Sequence, residues 1–350
     1  MINRARLGLV AAVVLSVLAV LTRALASTGG YPYWHYAGPG SNAATYTWTD
    51  AHGNGFSPYG YAYRNCTDYV AWKLSTANGF RDYRGLGNAA SWASAARARG
   101  YVVNHVPAPG AVAWWGGELF GGFGHVAWVA RVDVGSVKIA EYNHAGTGKF
   151  DLRDIAPGAA DSYIHFKDLP VQLRGGDFLA APGQAGAYRL VGGAPVYVDH
   201  WSSFGGHRPV LLISRERFDR LRAYPANGTF ITAGGHPYRL AGGSPIAIGS
   251  WPRVGGRRPA IRIDVAAIAH AGEPGRWSHL RRVPRDHTIL RAGPLGPLYS
   301  IRAGVPRPIS ALPGGRAAVV VDPAAITHAG EHGIWRFLRS PAPSERASRP

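Results

Sequence analysis

Residues 124–143 read GHVAWVARVDVGSVKIAEYN. Two apolar, β-prone runs, 124–132 and 136–143, flank the turn-forming Asp133-Val134-Gly135. Such runs joined by so short a loop predict an antiparallel hairpin. A three-residue loop pairs positions whose numbers sum to 268, so His125 faces Asn143 and Ala127 faces Glu141. Side chains alternate along a strand, which predicts His125, Glu141 and Asn143 on one face, with Glu141 diagonal to His125. A one-residue change of register would dissolve that grouping. His144, one residue further on, is expected on the opposite face.

Moving outward, Ala108-Pro109-Gly110 turns into another strand-like run, AVAWW. Upstream, NCTDYVAWKL at 65–74 predicts a helix, with Asn65 capping its start and Asn78-Gly79 ending it. A second short helix is expected over 89–98. Residues 27–61 are rich in Tyr, Trp, Gly, Asn and Pro without periodicity, which predicts an irregular arm. The predicted helix holds the only cysteine, Cys66, in its first turn. Free backbone N–H groups and the helix dipole favour a thiolate there. Asp68, in the same turn, is expected as an acidic partner of the dipole.

A lone His or Glu on an apolar strand is usually a packing residue, and a lone Cys is usually buried and inert. The set is what points to chemistry. A cysteine hydrolase needs a thiol, an imidazole to move its proton, and a third group to orient the imidazole. The pieces YGYAYRNCTDYVAWKL, PAPGAVAWW, GHVAWV and AEYN, in that order and spacing, resemble the CHAP domain, the cysteine, histidine-dependent amidohydrolase/peptidase family. The resemblance covers about Tyr31 to Leu169. It implies an α+β, papain-like catalytic domain that cleaves amide bonds of peptidoglycan. It also implies Cys66 as nucleophile, His125 as base, Glu141 as orienting residue and Asn143 as a further polar member. Two departures stand out. Arg64-Asn65 replaces the commoner Gly-Gln before the cysteine, and Gly110-Ala111-Val112-Ala113 lacks the usual Asp. No C-x-x-C or H-E-x-x-H occurs, so neither metal nor cofactor is expected.

The first residues combine Arg4 and Arg6, an apolar run over 7–21 and Ala24-Leu25-Ala26. This predicts a signal peptide over 1–26 and a secreted protein, extracellular or cell-wall associated, with no transmembrane span after cleavage. The rival is an uncleaved anchor helix, for which the apolar run is short. A single thiol cannot form a disulfide within the chain. Arg dominates over Lys beside abundant Ala, Gly and Pro, a composition typical of GC-rich actinobacteria. The net charge of +18 divides unevenly: +3 in the leader, +1 over 27–170 and +14 over 171–350. A strongly basic half suits an anionic partner, although charge kept for solubility would look the same.

That basic half repeats itself. GAYRLVGGAPVYVDHWSSFGGHRPV (186–210) recurs as HPYRLAGGSPIAIGSWPRVGGRRPA (236–260) and, worn, as PLYSIRAGVPRPISALPGGRAAV (297–319). Tyr188, Tyr238 and Tyr299 align, as do Trp201, Trp251 and Leu312. Short runs broken by Gly-Gly and Pro predict a mainly β repeat region. The expected division is a CHAP-like domain over 27–170, repeats over 171–225, 226–284 and 285–340, and a tail over 341–350. Arg208, Arg257 and Arg258 beside Gly-Gly turns are expected in solvent. AAIAHAGEPGRW (266–277) and AAITHAGEHGIW (324–335) are expected as a helix-then-turn packing motif rather than a metal site.

Together these features predict a secreted hydrolase, an N-acetylmuramoyl-L-alanine amidase or peptidoglycan endopeptidase. Its basic repeats would bind anionic cell-wall polymers. The alternative is a non-catalytic cell-wall-binding surface protein. No specific nucleic-acid partner is expected, because no recognition motif accompanies the charge.

Overall fold

The structure, a computed structural model, describes residues 27–118 and 120–341. The expected signal peptide and residues 342–350 of the expected tail lie outside the described residues. Among the described residues, no helix is long and apolar enough to cross a membrane. The chain divides into two compact units that meet between Val171 and Gln172.

In the first unit, helix α1 spans Cys66–Thr76. Tyr69, Val70 and Leu74 recur at the spacing of one helical face, and all three are fully buried. Gly79, at φ +63°, lets the chain turn back so that the Phe80 N–H donates to the Leu74 carbonyl and closes the helix end. The second helix is shorter than expected. Residues Ala89–Ser91 form a single 3-10 turn, and α2 spans Trp92–Ala98.

Six strands follow: β1 (Val102–Asn104), β2 (Val112–Trp115), β3 (His125–Asp133), β4 (Ser136–Tyr142), β5 (Phe150–Ile155) and β6 (Ser162–His165). Antiparallel pairing gives the order β1-β6-β2-β3-β4-β5. Helix α1 packs on β3 and β4, where Val70 and Leu74 share a core with Val126, Ala140 and Ile164. Ala127, Val129 and Ile139 belong to a separate core with Trp115 and Tyr163. Burying each large apolar side chain contributes about 1.5–3 kcal/mol.

The hairpin differs from expectation in two ways that cancel. Asp133 pairs with Ser136, so the loop is the two-residue Val134-Gly135 turn and not three residues. Next to the turn the paired numbers sum to 269. The register then shifts between Val129 and Arg131, a bulge that inserts one residue. Beyond it Val129 pairs with Ile139 and Trp128 with Ala140, which restores the sum of 268. Continuing that register sets Glu141 beside Ala127, on the face of His125.

The second unit builds one four-stranded pattern three times. In the first copy β7 (Phe178–Ala180), β8 (Ala187–Val191) and β9 (Ala194–Val198) form an antiparallel meander, and β10 (Leu211–Leu212) lies parallel to β7. In the second, β11 (Phe230–Ala233), β12 (His236–Ala241), β13 (Ser244–Ala247) and β14 (Ile261–Arg262) repeat the arrangement. In the third it recurs as β15 (Ile289–Ala292), β16 (Leu298–Arg302), β17 (Val305–Ile309) and β18 (Val319–Val321). Short helices α3 (Arg215–Asp219), α4 (Val265–Ala269) and α5 (Pro323–Thr327) follow the fourth strands.

Buried carboxylates tie neighbouring copies together. Asp264, which caps α4 through the Ala266 N–H, also accepts from the Asp199 and His200 N–H groups at 2.8 and 2.5 Å and from the Ser203 hydroxyl. Asp322 caps α5 and accepts from Gly249 and Ser250, both at 2.9 Å. The first copy has no predecessor, and its counterpart, Ser214, caps only its own helix. The loops so gripped begin with 3-10 turns at Trp201–Phe204 and Trp251–Val254, whereas residues 310–317 of the last copy form only bends and a turn.

The shared His-Ala-Gly-Glu motif also serves packing. His270 stacks on Trp277 at 4.8 Å while its Nδ1 bonds Glu273, and His328 stacks on Trp335 beside Glu331. Trp277 in turn meets Tyr197 of the first copy edge-on. The arginines are of two kinds. Arg189 and Arg239 lie half-buried over Phe178 and Phe230, while Arg208, Arg257 and Arg258 are exposed.

Candidate active site

Cys66 opens α1 and lines a cleft of about 900 Å³ in the first unit, with His125, Asn143, His144, Tyr46 and Phe120 among its walls. The thiol is half-buried. The His125 imidazole and the Val126 and Thr67 N–H groups lie where they favour the sulfur's charged form. Burial alone would push the thiol up, but the imidazole, its hydrogen bond and those N–H groups outweigh it and hold Cys66 below the ordinary thiol value.

His125 begins β3 directly after Gly124. At φ +69°, a side chain there would sit 2.5 Å from the Ala90 nitrogen and 2.7 Å from the Trp115 carbonyl, so only glycine fits. The His125 ring is buried, 4.7 Å from Phe120 and 5.6 Å from Trp115. Its Nε2 lies 2.7 Å from Glu141 Oε2, which leaves Nδ1 for the sulfur. Burial works against the imidazolium, yet the Cys66 and Glu141 charges raise His125 to about 9. Glu141 is fully buried. Burial would raise its carboxyl, but hydrogen bonds and charge from His125 and Arg153 hold it below the usual range. Cys66, His125, Glu141 and Arg153 thus follow one another across the site, and these shifts favour the charged forms of the first three.

The other residues named from sequence sit differently. Asn143 is not on β4 opposite His125. It follows the strand at φ +61°, a conformation Asn tolerates. Its Nδ2 donates to Asn65 Oδ1 at 2.9 Å and its Oδ1 accepts from the Gly148 N–H, so it staples the loop after β4 to the start of α1. That turn also brings His144 into the cleft, 5.5 Å ring to ring from His125, and not onto the opposite face. Asn65 occupies the cap position of α1, but its side chain makes no capping bond. It donates instead to the Tyr46 and Tyr63 carbonyls. Asp68 is buried, its carboxyl taking the Tyr31 and Ser57 hydroxyls, and burial raises it to about 7.

The Arg64 departure acquires a physical meaning. Arg64 has φ +59°, where glycine is at ease and arginine is strained. Its side chain offsets the strain by donating to the Gly148 and Tyr36 carbonyls at 3.0 and 2.8 Å and lying over Trp48.

A thiol at a helix start, an imidazole beside it and a buried carboxylate behind are the side chains a thiol-dependent amide hydrolase uses. Residues 56–143 match the CHAP domain, and this segment of the chain is a CHAP domain. The staphylococcal secretory antigen SsaA of Staphylococcus aureus is 37% identical over 105 residues, covering 29% of this chain and 38% of that protein. SsaA of Staphylococcus epidermidis matches to the same extent. The matched segment therefore spans less than two fifths of these relatives. Among solved structures, an N-acetylmuramoyl-L-alanine amidase from Staphylococcus aureus is 35% identical over 30% of each chain, with a TM-score of 0.28. Ly7917 is 18% identical over 29% of this chain and 52% of its own, with a TM-score of 0.23.

Arg153 escaped the sequence reading. It stands on β5, beyond the matched segment, in a run (FDLRDI) whose apolar–polar alternation lasts four residues before Asp154 breaks it.

Proposed function

We propose that the protein is a secreted, cysteine-dependent peptidoglycan hydrolase, an amidase or endopeptidase, with a papain-like catalytic domain over 27–170. The observation that carries this is the line from Cys66 through His125 to Glu141 inside a CHAP domain. A helix bearing the thiol, packed on an antiparallel sheet, supports the papain-like assignment. The name secretory antigen borne by the SsaA relatives supports export.

In this reaction the Cys66 thiolate attacks the carbonyl carbon of a peptidoglycan amide. The C–N bond breaks as His125 gives its proton to the leaving amine, which leaves an acyl thioester on Cys66. His125 then takes a proton from water, whose oxygen displaces the sulfur and releases the carboxylate. Glu141 orients the imidazole and stabilises its charged form. Asn143 holds the cleft wall through Asn65.

The repeats over 171–225, 226–284 and 285–340 are the proposed wall-binding region. Exposed Arg208, Arg257 and Arg258, with 24 basic against 10 acidic residues over 171–350, suit an anionic polymer.

Cys66→Ala tests the catalytic assignment. The purified variant is expected to leave isolated cell walls intact, and clearing at the native rate would refute a thiol mechanism. Mass spectrometry of the fragments released by the native protein identifies the bond cut. A new amino group on the stem alanine marks an amidase, and one within the peptide marks an endopeptidase.

A further inference from the structure

Glu141 is an unusual third group because it has two cationic partners. Its Oε2 meets His125, and its Oε1 accepts from Arg153 Nε at 2.5 Å. Arg153 pairs with Ile139 across the β4–β5 ladder, and Glu141 pairs with Asp151. Arg153 is thus the diagonal neighbour of Glu141 on one sheet face, within reach of a long side chain. The guanidinium is about one-third exposed, whereas the carboxylate is sealed from water. From the thiolate proposed above, we infer that Arg153 is a positioning residue for catalysis. It fixes the Glu141 carboxylate in place and in its charged form, and so sets the pH at which Cys66 becomes a thiolate.

The physical case is one of alternating charge. Cys66 on α1, His125 on β3, Glu141 on β4 and Arg153 on β5 alternate in sign and sum to zero. Two further titratable groups face the cluster. Asp151 stands opposite Glu141 on the ladder and is exposed to solvent. His144, whose ring is held neutral chiefly by burial, lies beside His125. Without Arg153 the line carries a net negative charge in a water-poor place. The relief available is proton uptake, by Glu141 or by the thiolate, and either one weakens the nucleophile. The chain joining Arg153 to the sulfur is electrostatic and directional. A lysine would therefore keep the sign, though not the planar fork that a carboxylate accepts.

The inference is tested with the full chain. Cys66 is the only cysteine, so the rate of iodoacetamide alkylation against pH reports this thiol alone. Arg153→Gln is expected to move the alkylation midpoint, and with it the acid limb of kcat/KM on isolated walls, up by about 1 pH unit. Arg153→Lys is expected to return the midpoint to within about a third of that shift. Arg153→Met, which keeps the apolar stem, replaces the Gln variant if that one fails to fold. A residue that merely supported the fold would lower thermal stability and leave the midpoint in place, and that result overturns the inference. Cys66→Ala run alongside separates the two claims. If it abolishes hydrolysis while the Arg153 midpoints coincide with wild type, only the role of Arg153 falls. If it still hydrolyses walls, the thiol mechanism itself falls.

Discussion

His125 Nε2 sits 2.7 Å from Glu141 Oε2, and both side chains are almost wholly sealed from solvent. A buried carboxylate needs a charged or well-aligned partner, so this contact favours the imidazolium over the neutral ring. The imidazolium in turn favours the Cys66 thiolate on its other side.

The pH dependence follows from these directions. His125 is raised to about 9, so its proton is present at neutral pH and is lost as pH climbs through that value. Cys66 is depressed, so its thiolate persists below the range of a free thiol and is lost only as pH falls further. The proposed hydrolysis is therefore expected to have a base limb near pH 9 and an acid limb below the ordinary thiol value of about 8.5. At about pH 7 the single thiol reacts with iodoacetamide faster than free cysteine, which is only a few per cent thiolate there. An alkylation midpoint at or above that of free cysteine would contradict the ion pair.

Arg64 yields a reversed ranking of substitutions. At an ordinary position glycine destabilises more than alanine, because its unfolded chain has more freedom to lose. Here φ is +59°, which alanine resists and glycine adopts freely. Both changes lose the bonds to the Gly148 and Tyr36 carbonyls. Arg64→Ala is expected to cost about 2–3 kcal/mol and Arg64→Gly about 1 kcal/mol less. Urea unfolding of the two variants checks the order, and an alanine variant as stable as the glycine one would show that the strain is absent.

What the sequence disclosed and what it hid have separate physical causes. Helix α1 was legible because its apolar spacing and its Asn78-Gly79 stop are local. The pairing of His125 with Glu141 was legible only because the loop is one residue shorter than expected and the bulge near Ala130 restores that residue. Period alone reports neither change. Asn143 was misplaced because a positive φ ends the strand one residue early. The same twist carries His144 into the cleft. Arg153 depends on which strand lies beside β4, and the four-residue alternation of FDLR does not say which strand is its partner. The repeats were visible in their Gly-Gly turns, but nothing local shows that Asp264 reaches 65 residues back to Asp199.

Asp264 is the stronger test of how the repeats hold together. Its carboxylate is fully buried and satisfies three backbone N–H groups and one hydroxyl. Asp264→Ala leaves those donors without partners and is expected to cost about 3–5 kcal/mol, since hydrogen bonds to a charged acceptor are the strong ones. Asp264→Asn keeps one acceptor oxygen and is expected to cost about half as much. Ser214→Ala in the first copy removes only a local cap and costs about 1 kcal/mol. Chemical denaturation of the three variants measures the ranking, and equal losses at Ser214 and Asp264 would exclude the contact between copies as the source.

Binding to the wall distinguishes a charge-driven surface from a merely soluble one. Arg208, Arg257 and Arg258 lie exposed beside the Gly-Gly turns, Arg208 also donating to the Phe204 carbonyl at 2.7 Å, whereas Arg189 and Arg239 are spent on Phe178 and Phe230. The two groups should therefore separate cleanly. Replacing the exposed three with Gln removes no core side chain, only the Arg208 bond to the Phe204 carbonyl, and is expected to weaken retention on isolated walls about three- to tenfold at low salt. The difference shrinks as ionic strength rises, because exposed charges farther apart than about 10 Å are screened at 0.1 M salt. Arg189→Gln instead removes a half-buried cation from an aromatic face and lowers stability more than binding. Co-sedimentation with walls across a salt series, paired with thermal melts, reads both effects. Retention that ignores both salt and the triple substitution would leave the basic residues as a solubility device.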